Sequence, residues 1–253
     1  MAIYAIGDIH GEIDLLDQAL TVLRERVRSK DRVVFLGDYV DRGPDSKGCI
    51  DRLIEFRAEY PNTIFLRGNH DQFMLSSFDE PVKRVDGDYC EVSGETMLWL
   101  QNGGDAALRS YGAYNLFDWQ EAIDPAHMEF LNATRIEWKS RYYHFVHAGV
   151  VPKGIEWTES DRDPKLWIRD GFLESTEDFG HVVVFGHTVQ RRNKPLVMVN
   201  KIGIDTGAVF GGALSMVRLD GLKRNDKGLP TPEITQFFKK KTMVVHELEK
   251  AFA

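Results

Sequence analysis

The sequence predicts a layered α/β fold, and three features point to it. Short apolar runs end abruptly in polar, glycine-containing turns; stretches with helical hydrophobic spacing lie between them; and the order strand, loop, helix repeats twice before residue 70. Ile3–Ile6 is the first such run and stops at Gly-Asp, as a buried strand entering a loop does. Ile13, Leu16, Ala19, Leu20, Leu23 and Val27 then recur at steps of one, three and four, which is one face of a helix. Arg32–Leu36 is a second strand ending in Gly-Asp, Ser46–Tyr60 a second helix stopped by Pro61, and Thr63–Leu66 a third strand ending in Arg-Gly-Asn-His.

Residues 72–139 carry mostly helical patterns, Glu95–Leu100, Gly104–Tyr111 and Pro125–Ala133, broken by glycine turns and holding Trp99, Trp119 and Trp138. They are expected to form a helical cap over the strand-end loops, within a single domain spanning 1–253. Strands resume at Tyr142–Val146, His181–Phe185, Val197–Val199 and Leu214–Leu219. Asp220–Pro232 reads as a polar loop, and Glu233–Phe238 and Thr242–Glu247 as an added edge or tail.

The 253 residues are near the upper end of what one hydrophobic core supports, and 43% hydrophobic with 28% charged residues is ordinary for a globular enzyme. A formal charge of −7 argues against a nucleic-acid partner, which usually meets a basic face. An anionic substrate would need locally placed positive charge. No stretch approaches the roughly 18 apolar residues of a membrane span, and MAIYAIGDIHGE lacks the basic segment and long apolar run of a signal peptide. Cys49 and Cys90 form no framework, which fits reduced thiols in a cytoplasmic protein.

Function is written where the strands stop. GDIHG follows the first, GDYVDRG the second, RGNHD the third, HAG the fourth and GH the fifth. Ligands of open α/β sheets bind beyond the carboxyl ends of strands, so these loops are expected to converge. Asp8 and His10 are two apart and share a side in an extended chain, a common metal half-site, although an Asp-Gly turn with a surface histidine fits as well. Asp38 repeats the Gly-Asp ending. Asn69 and His70 are adjacent and, in extended chain, would face opposite ways. His147 and His187 each close an apolar strand. A lone residue of this kind is more often structural; five such loops reverse that reading.

Other residues are set aside. His144 lies on the opposite strand face from His147, His181 opens its strand, and His127 and His246 have no sequence partner. IDTGA, 204–208, has the look of an aspartic protease motif, but that chemistry needs two such aspartates and only one copy occurs. No Gly-x-Gly-x-x-Gly follows a strand, which excludes a Rossmann site.

In that order, GDIHG, GDYVDRG, RGNHD, HAG and GH resemble the phosphoprotein phosphatase branch of the calcineurin-like metallophosphoesterases, from Asp8 to about Gly212. The resemblance implies a four-layer αββα sandwich with two divalent cations at the strand ends, Mn²⁺ first, with Fe or Zn²⁺ also suited to a thiolate-free N/O ligand set. One metal would take Asp8, His10 and Asp38, the other Asp38, Asn69, His147 and His187. It further implies His70 as general acid, Asp41 orienting its imidazole, and Arg42 and Arg67 binding phosphate oxygens. Arg169 in LWIRDG resembles a further phosphate-binding arginine. The implied reaction is direct attack of a metal-bridging hydroxide on phosphorus.

Two substrates compete under that resemblance. GNHD and HAG are shared with symmetrical diadenosine tetraphosphate hydrolases. Those enzymes typically have Ala in place of Asp41 and a long helical insertion before the last metal histidine, whereas 39 residues separate His147 from His187 here. The NGG at 102–104, LWIR and FGHT…IDTGAVFGG look like the bacterial and phage lambda-type serine/threonine phosphatases. A phosphorylated protein is therefore the expected substrate, with the dinucleotide, or another small phosphoester, as the alternative. A two-metal phosphodiesterase or nuclease fits the acidic charge less well.

Overall fold

The computed structural model describes residues 1–245 except 81, 87, 88, 118, 159–161 and 240. Two β-sheets lie face to face between outer layers. The first carries β1 (Ile3–Ile6), β2 (Arg32–Phe35) and β3 (Ile64–Phe65) in parallel. Its elements are linked by α1 (Ile13–Arg26) and α2 (Ser46–Glu59).

The chain then builds the cap region. It runs through α3 (Asn69–Phe78), a hairpin of β4 (Lys83–Asp86) and β5 (Tyr89–Glu91), α4 (Gly94–Trp99), a π turn, α5 (Asp105–Ser110), α6 (Trp119–Ala122) and α7 (Pro125–Asn132). The second sheet follows: β6 (Glu137–Lys139), β7 (Tyr143–Val146), α8 (Pro164–Trp167), β8 (Val182–Phe185), β9 (Leu196–Val197) and β10 (Lys201–Gly203). Its strand order is β6-β7-β8-β10-β9. β11 (Asp205–Thr206), β12 (Ala213–Leu219), β13 (Glu233–Phe238) and β14 (Lys241–Val245) return to the first sheet, whose order is β14-β13-β12-β1-β2-β3, with β11 beside β12.

The period-2 alternation of a strand sorts the core. In β1, Ile3 and Ala5 face the second sheet, packing in one cluster with Phe145, Val182, Val184 and Ile202. Tyr4 and Ile6 face outward to α1 and α2. The outer cluster continues without a break into the cap: Trp99, Trp119, Phe130 and Leu131 share it with Leu16, Leu20, Ile50 and Leu53. The fourth layer is thin. Among the described residues, α8 and the turns on either side of it cover the outer face of the second sheet, chiefly through Ile168 and Phe172 on Val183 and Phe185.

Differences from the sequence expectation have local causes. Asn69 and His70 are not extended; they open α3, whose N-terminus Asp71 caps by accepting from Gly68 N. The expected cap contains the β4–β5 hairpin as well as helices. The expected strand Val197–Val199 is Leu196–Val197, and β10 and β11 were not expected, because Asn200 and Lys201 interrupt the apolar pattern. His246 and the end of the expected strand Thr242–Glu247 fall outside the described residues. Among the described residues, no helix is long and apolar enough to cross a membrane.

Lys201 is the interruption with a purpose. Its ammonium is fully buried, donates to the carbonyls of Phe172, Leu173 and Ser175, and lies 4.6 Å from the Phe172 ring centre. Asn200 adds bonds to the carbonyls of Ser175 and Glu177. Together they fasten the thin outer layer to the sheet. Lys201→Met is expected to leave those carbonyls short of a donor and to cost about 1–3 kcal/mol, measured as a lower urea midpoint with an unchanged slope.

Candidate active site

Carboxyl ends of β1, β2, β3, β7 and β8 meet at one edge, and the loops that leave them are braced against one another. Ile9 N and His10 N donate to Asp38 O, and Gly11 N to Tyr39 O, joining the first loop to the second. Asp71 accepts from Asp38 N at 2.8 Å and Tyr39 N at 2.9 Å, joining the second to the third. His147 Nδ1 donates to Leu36 O, and His187 N donates to Asp8 Oδ2, which brings in the fourth and fifth.

These loops hold strained backbone. Among the described residues, His10, Asp38, Asp41, Arg42 and His187 have φ between +48° and +75°. Non-glycine residues rarely occupy this region, and at a site such strain persists only because surrounding packing over-determines it.

The side chains converge on Asp38. Its Oδ2 lies 3.3 Å from His10 Nε2, and its Oδ1 lies 3.4 Å from His147 Nε2 and accepts from His70 N. Asn69 Oδ1 is 3.0 Å from His147 Nε2 and 2.8 Å from His187 Nδ1. All of these residues are buried. The tautomers of two histidines follow from their partners. His10 Nδ1 meets the Val40 carbonyl and His147 Nδ1 the Leu36 carbonyl, acceptors that require Nδ1–H. With Nδ1 committed in this way, Nε2 of each ring is the atom turned toward Asp38, the way second-sphere carbonyls orient metal-ligating histidines.

Donor atoms of His10, Asp38 and His70 lie within 4.8 Å of one another, and so do those of Asp38, His147 and His187. Asp8 Oδ1 and His187 Nε2 are buried without a hydrogen-bond partner among the described residues. Buried acceptors left orphaned among converging carboxylate, amide and imidazole atoms are a donor set that fits cations. Electrostatics agrees. Burial pushes the Asp8 carboxyl well up, reinforced by Asp205. Burial would raise Asp38 too, but the imidazoles of His147, His70 and His10 hold it well below the carboxylate range.

Beside this group, His70 Nδ1 lies 2.7 Å from Asp41 Oδ2, and Trp99 Nε1 donates to both Asp41 oxygens at 3.0 and 3.1 Å. Burial pushes Asp41 up to about 8 and His70 down to about 3. At neutral pH the pair thus keeps one proton between Oδ2 and Nδ1 and a second on Nε2.

Of the three expected arginines, Arg42 is in place: its guanidinium donates to His10 Nε2 at 2.8 Å and lies over Phe210. Arg169 is exposed, its side chain makes no hydrogen bond or ion pair among the described residues, and its charge depresses the His187 pKa behind burial and His147. Arg67 is not brought to the group. Its guanidinium donates to Thr134 Oγ1, Gln72 Oε1 and the carbonyls of Leu131 and Asn132, so its nitrogens are engaged by α3 and by the end of α7.

Four residues escaped the sequence reading. Asp71 stood in plain view inside RGNHD, while Trp99 had only its position in the cap to mark it. Trp167 walls the site edge-on to His187, with the Arg162 guanidinium 4.4 Å from its ring centre. Asp205, set aside with the protease-like IDTGA, is buried close enough to Asp8 to raise its pKa. NGG also gains a reason: Gly103, at φ +106°, passes its carbonyl to Arg42 N, and a Cβ there would sit 2.7 Å from Arg42 Cγ. Gly104 lies under the Trp99 indole, where a Cβ would be 2.5 Å from the ring. His127 and His144 have structural partners, Asp51 with Tyr111 and Glu137 respectively.

Comparison with known proteins gives a consistent picture. The family described as calcineurin-like phosphoesterase matches residues 1–194. Serine/threonine-protein phosphatase 1 of Salmonella typhimurium is 31% identical, over 86% of this chain and 91% of its own length. The symmetrical bis(5′-nucleosyl)-tetraphosphatase of Methylococcus capsulatus is 37% identical, over 40% of this chain and 37% of its own. The crystal structure of a candidate diadenosine tetraphosphatase superposes with a TM-score of 0.60 at 20% identity, covering 94% of each chain.

Gly68 has no room for a side chain, since a Cβ would collide with Asp38 Oδ1 and backbone N. Gly68→Ala is expected to displace that carboxylate, costing about 1–3 kcal/mol as overpacking does. Elemental analysis of the purified variant should show reduced bound metal while circular dichroism shows the fold retained.

Proposed function

The chain belongs to the calcineurin-like phosphoesterases, and on that premise we propose that it is a metal-dependent phosphomonoesterase acting on phosphorylated protein. One observation supports the chemistry: a buried carboxylate, Asp38, common to two groups of ligand-type atoms, His10–Asp38–His70 and Asp38–His147–His187, with His70 also held by Asp41. Asp8, His10 and Asp38 would hold one divalent cation, and Asp38, Asn69, His147 and His187 another, with Mn²⁺ preferred over Fe or Zn²⁺. Bound there, such cations supply Lewis acidity toward a phosphoryl oxygen and lower the pKa of a water to about 7.

The remaining chemistry belongs to side chains. His70 carries a proton on Nε2, the nitrogen away from Asp41, and gives it to the leaving oxygen. Asp41 fixes the ring, and Trp99 fixes Asp41. Arg42 and Arg169 bind non-bridging phosphate oxygens, Arg42 through a planar fork that spans two at once. Arg67 is withdrawn from that role and anchors α7 instead. Residues 1–253 act as one catalytic unit in which the expected cap, 72–139, ends earlier, before β6 (Glu137–Lys139) of the second sheet, and the cap helices share their hydrophobic cluster with α1 and α2.

Phosphoprotein is favoured over a dinucleoside polyphosphate on two grounds. Asp41 is present and engaged with His70. Similarity to the Salmonella serine/threonine phosphatase runs along 86% of this chain and 91% of its own length, whereas symmetrical tetraphosphatases match 40% to 63% of this chain and 37% to 47% of theirs.

His70→Asn is expected to keep its metal content and lose about 10²–10⁴ in turnover, the scale of a general acid. Trp99→Phe, which removes only the indole donor to Asp41, should lose about tenfold, in line with the loss of one hydrogen bond. The substrate class is tested with Mn²⁺ on a phosphoserine peptide, a phosphotyrosine peptide and diadenosine tetraphosphate, products being separated chromatographically. Strong preference for the dinucleotide would overturn the assignment.

A further inference from the structure

A cavity of about 470 Å³ opens next to the site and shares Arg42 with it. One wall is α5 of the cap, with Arg109 and Ser110; another is the Gly43-Pro44 turn that follows Arg42; Lys239, just past β13, closes the far side. Three cations therefore line it against one acid, Glu12, in a chain whose formal charge is −7. Glu12 is nearly fully buried and is already covered by the Lys239 ammonium at 3.0 Å. Arg109 pairs with Asp105 one turn back on its own helix, and both side chains are more than half exposed. Exposed pairs of this kind are weak, so the Arg109 guanidinium is free to turn to another anion.

From this arrangement we propose that the cavity is a substrate subsite for an acidic side chain flanking the phosphorylated residue. The inference rests on the phosphoprotein reading above. Arg42 connects the two places: its guanidinium reaches His10 Nε2 on one side, and the same side chain lines the cavity on the other. An extended peptide advances about 3.3–3.6 Å per residue. A phosphoresidue at the metal-ligating group and an Asp or Glu one to three positions away can thus be held by the same cationic strip. Among the described residues no aromatic ring lines the cavity itself, and the neighbouring Phe210 ring carries the Arg42 guanidinium. A carboxylate needs only the cations.

The test compares kcat/KM, with Mn²⁺ and the full chain, for phosphoserine peptides carrying Asp/Glu, Ala or Lys at the flanking positions. A small aryl phosphate serves as reference substrate. The acidic peptide should exceed the alanine peptide by about tenfold, the equivalent of about 1.4 kcal/mol. The difference should lie mainly in KM and shrink as salt is raised. Arg109→Glu should abolish the preference or reverse it. Lys239→Gln should weaken it, but it also leaves Glu12 buried without its cation and can unfold the chain, so Arg109→Glu decides. Equal kcat/KM for acidic and alanine peptides, or a preference that survives Arg109→Glu, would overturn the subsite while aryl phosphate turnover still supports the phosphatase reading. Weaker turnover of diadenosine tetraphosphate by Arg109→Glu, with peptides unaffected, would overturn it too. No turnover of aryl phosphate or of any peptide would overturn both.

Discussion

Everything in the site depends on keeping one carboxylate ionised in a place where burial would neutralise it. Asp38 sits at φ +53°, with its backbone N given to Asp71, its carbonyl accepting from two residues of the first loop, and its two oxygens turned to opposite histidines. Isolated ionised groups are not stable in such surroundings. Asp38 stays charged because positive or polarisable partners stand on both sides, and cations satisfy that demand better than imidazoles alone. The fold supplies the rigidity: two sheets pressed face to face leave the strand ends no freedom to relax the strained loops that follow.

The same constraint accounts for the glycines that look redundant in the sequence. Gly68 leaves the space that the Asp38 carboxylate fills, and Gly103 brings a carbonyl within 3.0 Å of Arg42 N. Backbone, not side chain, is the packing material around the reacting groups. This is why a methyl group at such a position is expected to act on metal content and not only on stability.

The legible part of the site was local. Asp8, Asp38, His147 and His187 follow apolar runs of strand length, so the end of each run announced a polar residue held at a sheet edge. Asn69 and His70 were found by the same rule but given the wrong backbone: a cap by Asp71, two and one residues on, turns that segment into a helix. Arg67 shows the limit of motif reasoning, because its fate depends on carbonyls of α7 more than 60 residues away. Trp99 meets Asp41 across 58 residues, and no local pattern encodes that contact. The second sheet was partly hidden for the opposite reason. Lys201 is charged, yet fully buried, and a hydropathy pattern has no means of distinguishing a caged ammonium from a loop.

The cap is joined to the chemistry in a way that a separate lid would not be. Its helices complete the outer hydrophobic cluster, so lifting them would expose Trp99, Trp119 and Phe130 together with the faces of α1 and α2. From that fixed position α4 sends the Trp99 indole to Asp41, the π turn sends the Gly103 carbonyl to Arg42, and α5 presents Arg109. The groups that would orient the proposed proton donor and those that would shape the approach to it therefore sit on one continuous segment. Under the proposed mechanism, a change in the cap that altered which substrate fits would also move Asp41 and Arg42, so selectivity and proton transfer would be coupled through the packing of 94–110.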